Sequence, residues 1–165
     1  FSTIDIAGIH DSTALMTISL MLVGGGSTST AGGIKVTTFV VLLLATAAFF
    51  QRRDELSAFG RSLGHQEVLK VLALTMLSLL VVMTGLFLVT IAHDGDFMDL
   101  AFEVASAFGT VGLSRGVTGD LDGFSLSIIA LIMFIGRVGP LLLGFFLAIR
   151  VSPRIRYPSG EVFLG

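Results

Sequence analysis

The chain has 165 residues, of which 53% are hydrophobic and 13% are charged, and its formal net charge is −2. Soluble domains carry about 25% charged residues, so this composition lacks a solvated shell and is typical of an integral membrane protein. The apolar content excludes intrinsic disorder, the charge argues against a nucleic-acid partner, and the lack of cysteine excludes disulfides and thiolate chemistry.

The first apolar zone, residues 14–50, has 37 residues, which is too long for one crossing at about 1.5 Å per residue. Its middle, residues 24–33, reads GGGSTSTAGG, and these residue types form helices poorly. We predict two half-helices, 12–23 and 34–50, joined by an unwound stretch at membrane depth, with Asp11 or Ser12 capping the first. The alternative is an exposed linker between two short helices, because irregular backbone inside a bilayer needs protein or a water-filled cavity around it.

Residues 68–92 are long and apolar enough to span a membrane. Basic residues concentrate on the cytoplasmic side of membrane proteins. The loop 51–67 and the C-terminal region contain Arg52, Arg53, Arg61, Arg150, Arg154 and Arg156. The opposite face contains one basic residue, Arg115, with Asp5, Asp11, Asp94, Asp96, Asp99, Asp120 and Asp122. The loop 51–67 and the tail 152–165 are therefore predicted to be cytoplasmic.

Residues 96–114 predict a short helix that enters the membrane and stops. Asp96 can cap the helix, and Asp99 falls at its third position, where the positive helix end favours a carboxylate. The apolar run up to Phe108 is too short to span, so we predict a re-entrant pore helix over 97–109. The alternative is an amphipathic helix on the outer surface.

The segment after this helix, residues 110–114, resembles one strand of a potassium selectivity filter. Glycine permits backbone conformations that point carbonyl oxygens inward, and a ring of carbonyls replaces the hydration shell of a cation. The residues predicted to bind the ion through their backbone are Thr110, Val111, Gly112 and Leu113, with potassium at the first three. The alternative is a glycine turn at the membrane surface.

The last predicted span, residues 124–149, carries Arg137 near its centre, where an arginine is costly and indicates function. Arginine has five donors and no acceptor, and the unwound stretch offers free carbonyls and hydroxyls. We predict that Arg137 holds this stretch as a gate below the filter; the alternative is an arginine that faces a polar cavity. The gate residues are Gly24, Gly25, Gly26, Ser27, Thr28, Ser29, Thr30, Ala31, Gly32, Gly33, Lys35 and Arg137.

Four motifs together resemble the Trk/Ktr/HKT superfamily of potassium transporters, most closely its Ktr-type membrane subunit. They are GGGSTSTAGGIK from Gly24, GTVGLSRG from Gly109, MFIGRVGPL from Met133 and the closing RYPSGEVFLG. The resemblance implies four span–pore helix–span repeats around one pore in a bacterial plasma membrane. Gly112 would be the filter glycine of repeat four, residues 24–35 the gating loop, and Arg137 the arginine facing that loop. It also implies a homodimer in lipid on a cytoplasmic ring of nucleotide-binding regulatory subunits, and uptake that is often sodium-dependent.

The fold class is therefore all-α integral membrane protein, with a broken helix and one span–re-entrant helix–span repeat. The predicted units are 1–50, the end of repeat three; 51–67, a cytoplasmic loop; 68–151, repeat four; and 152–165, the tail. Because the chain begins at Phe1, without methionine or signal pattern, we expect it to be the C-terminal part of a longer protein.

Potassium translocation is the function that these features favour. The alternative is a secondary transporter that binds an organic anion at the unwound stretch through half-helix N-termini and Lys35. A phosphate-binding loop is excluded, because Lys35 is followed by Val36 and not by serine or threonine. No nucleophile–base or carboxylate pair appears, so neither enzyme activity nor a bound cofactor is expected.

Overall fold

Five α-helices and one short hairpin make up the part of the chain that the structure describes. In this computed structural model the described residues are 3–26, 29–51, 56–58 and 61–139. The helices are α1 (Asp11–Leu22), α2 (Val36–Phe50), α3 (His65–Ala92), α4 (Phe97–Gly109) and α5 (Gly123–Val138). The strands are β1 (Leu56–Ala58) and β2 (Arg61–Leu63), and a 3-10 turn covers Val117–Gly119. The features predicted at residues 140–149, at 152–165 and at Ser27 and Thr28 lie outside the described residues.

The start of α1 corrects the predicted cap. Neither Asp11 nor Ser12 caps the helix: His10 occupies the cap position without a side-chain hydrogen bond, and Asp11 is already helical. The Asp11 carboxylate instead lies 3.3 Å from a guanidinium nitrogen of Arg115. A charged donor forms a stronger hydrogen bond than a neutral amide, so the Asp11 carboxylate interacts with Arg115 and not with the backbone amides of α1.

The second half-helix begins at Val36, two residues later than predicted. Ile34 is unavailable to the helix because its N–H donates to Leu22 O at 3.0 Å and its carbonyl accepts from Gly24 N at 2.7 Å. Farther along, strand residues appear inside the predicted loop 51–67, where β1 and β2 pair antiparallel with Leu56 opposite Leu63. The helix after that loop begins at His65, three residues before the predicted residue 68.

Helix α3 is the described helix that is long and apolar enough to cross a membrane. Its candidate span is Gln66–Ala92, 27 residues whose most apolar 18-residue stretch has a mean hydropathy of 2.5, whereas α1, α2 and α5 are shorter apolar helices. Large apolar side chains of α3 are more than half exposed: Leu72, Met76, Met83, Phe87 and Ile91. A continuous apolar surface of this kind suits lipid or another protein segment better than water.

Helix α4 lies at the centre of the described structure. Helices α1, α3 and α5 pack around it, and α2 packs against α3. Leu100, Phe102, Val104 and Phe108 of α4 are fully buried, so the neighbouring helices cover this helix. The helix ends at Gly109, followed by Thr110 in the left-handed conformation. This packing positions the segment after α4 among three helices.

The N-terminus of α4 depends on Asp96, whose carboxylate accepts from the backbone N–H groups of Met98 and Asp99 at 2.9 and 3.4 Å. We expect Asp96→Ala to lower the free energy of unfolding by about 1 kcal/mol, because two amides then lose their acceptor. The thermal midpoint of the purified full-length protein in detergent measures this. Asp94→Ala is the control, since Asp94 is exposed and has no hydrogen bond to the described residues. Equal midpoints for the two variants would contradict the capping role.

Candidate functional site

The chain reverses direction immediately after α4, at the residues predicted to form a filter strand. Thr110 has φ 52 and ψ 39, and Gly112 has φ 82. Val111 N donates to Ser106 O and Leu113 N donates to Ser106 Oγ, both at 3.0 Å. The segment therefore returns along α4 in a non-helical conformation, with two of its amides bonded to one residue of that helix.

The glycine-rich loop between α1 and α2 is closed at its base. Besides the two bonds of Ile34, Val36 N donates to Gly25 O at 3.3 Å, and Val23 and Ile34 form an isolated parallel bridge. The two helix ends are thus tied together by backbone, and the described residues between them project as a loop. This arrangement differs from an extended linker, whose ends would not be paired.

Two cationic side chains hold three successive carbonyls of this loop. Lys35 Nζ donates to Ser29 O at 3.0 Å and to Ala31 O at 2.7 Å. Arg137 Nη1 donates to Thr30 O, across 107 residues of sequence. Carbonyls accept strongly from charged donors, so the loop is held by charge without an acidic residue. Sequence reasoning placed Lys35 at the end of the loop but did not find that it binds the loop's own carbonyls.

The loop also contacts the end of α4. Gly32 N donates to Thr110 Oγ1 at 3.0 Å. On α5, a Cβ at Gly136 would lie 2.0 Å from Phe108 O, a separation that excludes any side chain. The loop, α5 and the first residue of the predicted filter strand therefore meet at one point.

A cavity of about 240 Å³ lies beside the loop, between α2, α3 and α5. Its lining includes Lys35, Thr38, Ser78, Gly136 and Arg137. A space of this size holds several water molecules, so the two cationic side chains border a space with room for water. Among the described residues, no group of three histidine, cysteine, aspartate or glutamate side chains could hold a metal ion.

Two of the aspartates that we predict on the outer face lie close to Arg115. Its Nε lies 2.8 Å from Asp99 Oδ1, and its Nη1 lies 3.3 Å from Asp11 Oδ1. The Arg115 side chain is only 11% exposed, so this cation links α1 to α4 just beyond the predicted filter strand. Its isolation among aspartates was the sequence signal for this contact.

Glu103, which the sequence analysis did not identify, is a buried polar residue: only 7% of it is exposed. It lies on α4, three residues before Ser106. An acidic residue and a serine at this spacing share one helix face, and that shared position was the available signal.

The chain matches a known protein family over most of its length. The sequence pattern of the TrkH family, described as "Cation transport protein", covers residues 1–156. The chain is 43% identical over 165 residues to Ktr system potassium uptake protein B of Bacillus subtilis, covering all of this chain and 37% of that protein. It is 38% identical to the protein of the same name from Vibrio alginolyticus over 165 residues, covering 100% of this chain and 36% of that one.

A further relative carries a broader name. The chain is 36% identical over 172 residues to the potassium/sodium uptake protein NtpJ of Enterococcus hirae, covering all of this chain and 38% of that protein. The chain thus spans little more than a third of the length of the curated relatives it matches.

Proposed function

The chain belongs to the TrkH family of cation transport proteins, and from that premise we propose that it supplies one filter strand and part of the gate of a potassium pore. The relatives are named as potassium or potassium/sodium uptake proteins, not as enzymes. Since the chain covers about a third of their length, the remaining filter strands would come from other segments of the longer protein. Transport is then an activity of the whole protein, to which this part contributes.

The observation that carries the proposal is the reversal of the chain after α4. A buried, capped helix ends at this point, and its C-terminal carbonyls carry partial negative charge that favours a cation. The following residues are non-helical, with Gly112 at φ 82, so the carbonyls of Thr110, Val111 and Gly112 are free of helix hydrogen bonds. Backbone carbonyls of this kind replace the hydration shell of potassium in selectivity filters.

We assign the gate to the glycine-rich loop with Lys35 and Arg137. The loop carbonyls that accept from these cations are thereby turned toward protein, and the loop lies directly against Thr110. A gate in this place would obstruct the path immediately beyond the filter. Release of the loop from Arg137 would open it.

The membrane orientation, the partners and the coupling ion follow from the same proposal. Helix α3 spans the bilayer, the loop 51–67 is cytoplasmic, and Arg115 with its aspartates faces outward. The assembly is a homodimer in lipid, on a cytoplasmic ring of nucleotide-binding subunits. Sodium is the second ion, in keeping with the name of the Enterococcus hirae relative.

Replacement of Arg137 by alanine tests the gate. We expect Arg137→Ala in the full-length protein to raise potassium uptake by roughly fivefold, because the hydrogen bond to the Thr30 carbonyl contributes about 1 kcal/mol to the closed position. Rubidium uptake into proteoliposomes at equal protein content measures the effect. Lys70→Ala is the control, since Lys70 is an exposed cation of α3 paired with Glu67.

Unchanged uptake in Arg137→Ala would argue against the gate. The same vesicles separate potassium transport from transport of an organic solute. Potassium should displace rubidium, and organic anions should have no effect. Displacement by an organic anion instead would reject the pore.

A further inference from the structure

Glu103 is a buried acidic residue to which the proposed pore assigns no role. Its Oε1 accepts from Thr118 Oγ1 at 2.5 Å. Its Oε2 is buried and has no hydrogen-bond partner within the described ranges. Burial of a polar group costs free energy unless it is hydrogen-bonded, so a residue that only filled space here would be better apolar.

Glu103 and Ser106 face the segment that returns along α4. Residues three apart on a helix lie on one face, and Ser106 already binds the amides of Val111 and Leu113. Because the returning segment runs opposite to the helix, its later residues reach the earlier residue, Glu103. The helix face therefore contacts the segment at two levels.

A chain of hydroxyls connects Glu103 to the end of the filter segment. Thr118 Oγ1 lies 2.9 Å from Ser114 Oγ, and Ser114 Oγ accepts from Gly116 N at 3.0 Å. A hydroxyl has one hydrogen to donate, and in this chain Thr118 uses it on the Glu103 oxygen. The Ser114 hydroxyl then donates to Thr118, so Glu103 determines the direction of both hydroxyls.

Within the described residues, packing leaves one side of the returning segment open. A cavity of about 220 Å³ lies between α4, α5 and the returning segment, lined by Glu103, Ser106, Gly112, Ser114 and Thr118 among others. A segment beside such a space can shift unless hydrogen bonds restrain it. The bonds to Ser106 and to the Glu103 chain supply that restraint.

We propose that Glu103 is a positioning residue for the filter: through Thr118 and Ser114 it holds the far end of residues 110–114, without touching the ion. The inference rests on the proposed function, because it assumes that this segment selects the cation. Loss of the restraint would let the carbonyl positions vary. We expect variable carbonyl positions to alter the coordination of the cation and so to lower the discrimination between potassium and sodium.

The test is the potassium-over-sodium selectivity of the full-length protein in proteoliposomes. Thr118→Val removes the hydroxyl and keeps the shape, and we expect the selectivity ratio to fall roughly three- to tenfold, as for loss of the one hydrogen bond that connects Thr118 to Ser114 of the filter segment. Thr118→Ser should restore it. Glu103→Gln keeps an oxygen that accepts from Thr118 and should retain most of the selectivity, whereas Glu103→Ala should lose it. Thr90→Val is the matched control, since exposed Thr90 bonds its own helix at Leu86 O.

Unaltered selectivity in both Thr118→Val and Glu103→Ala would overturn the positioning role. If Glu103→Ala does not accumulate in the membrane, the comparison of Thr118→Val with Thr118→Ser decides whether the positioning role holds, because Thr118 is exposed. Gly112→Ser in the same assay separates the role of Glu103 from the role of residues 110–114 as a filter strand. A change in Gly112→Ser without a change in Thr118→Val rejects only the role of Glu103, whereas no change in any variant rejects the filter itself.

Discussion

Gly136→Ala is expected to abolish most potassium uptake, because α5 and the end of α4 touch through backbone at this position. An added Cβ would lie 2.0 Å from Phe108 O, 2.9 Å from Phe108 C and 3.1 Å from Phe108 Cα. Backbone atoms cannot rotate away, so α5 and the end of α4 must separate. That separation disturbs the contact next to Thr110 and hence the residues proposed to form the filter.

The expected change in stability at Gly136 is opposite to the usual effect of replacing a helical glycine by alanine. In a helix interior, alanine is normally more favourable than glycine by about 1 kcal/mol. Overpacking of a well-packed contact costs about 1–3 kcal/mol, so we expect Gly136→Ala to lower the thermal midpoint in detergent as well as uptake. Gly123→Ala is the matched control on the same helix, since a Cβ at Gly123 would have no neighbour within 4 Å. A Gly136→Ala protein that is more stable and fully active would contradict the close contact.

Gly112→Ser is expected to lower the preference for potassium over sodium by roughly tenfold. Gly112 has φ 82, and a Cβ there would meet nothing within 4 Å, so no collision arises. The cost is conformational: a left-handed backbone disfavours an L side chain by about 1–2 kcal/mol. The strand would relax to another φ, and its carbonyls would turn with it.

Competition between rubidium and sodium in proteoliposomes measures this ratio. Gly119→Ser serves as the control, because Gly119 also has open space around it but does not have a positive φ. Preserved selectivity in Gly112→Ser, at normal uptake, would exclude this strand from the filter. Reduced uptake with unchanged selectivity would place the strand in the path but outside the selective step.

Capping aspartates in the sequence correctly predicted the start of α4, but the cap predicted for α1 was wrong. Asp96 acts on amides two and three residues away, so its cap is encoded within one turn. Asp11 is also an aspartate near a helix start, but it is the first helical residue of α1, and its carboxylate pairs with Arg115, 104 residues distant. Whether such an aspartate caps a helix depends on the residue at which the helix begins and on the distant cations nearby, and sequence spacing reveals neither.

The same distinction applies to the candidate site. The glycine-rich interruption, the turn after α4 and the lone Arg137 are visible in the sequence because each departs from the apolar residues around it. The contact of Lys35 with the loop is not visible in the sequence, and the burial of Glu103 is indicated only by its position on the same helix face as Ser106. A lysine at a loop end and a glutamate on a short helix are both compatible with exposure to solvent.

By itself, the sequence determined the membrane class, the interruption of the first apolar zone and the capped helix before the predicted filter strand, because these depend on composition and on neighbours within a few residues. Only the tertiary structure decided that Gly32 binds Thr110 across 78 residues and that Arg137 binds Thr30 across 107. Such contacts depend on how α1, α4 and α5 pack together. That packing arises from the combined burial of many side chains, and no local period encodes it.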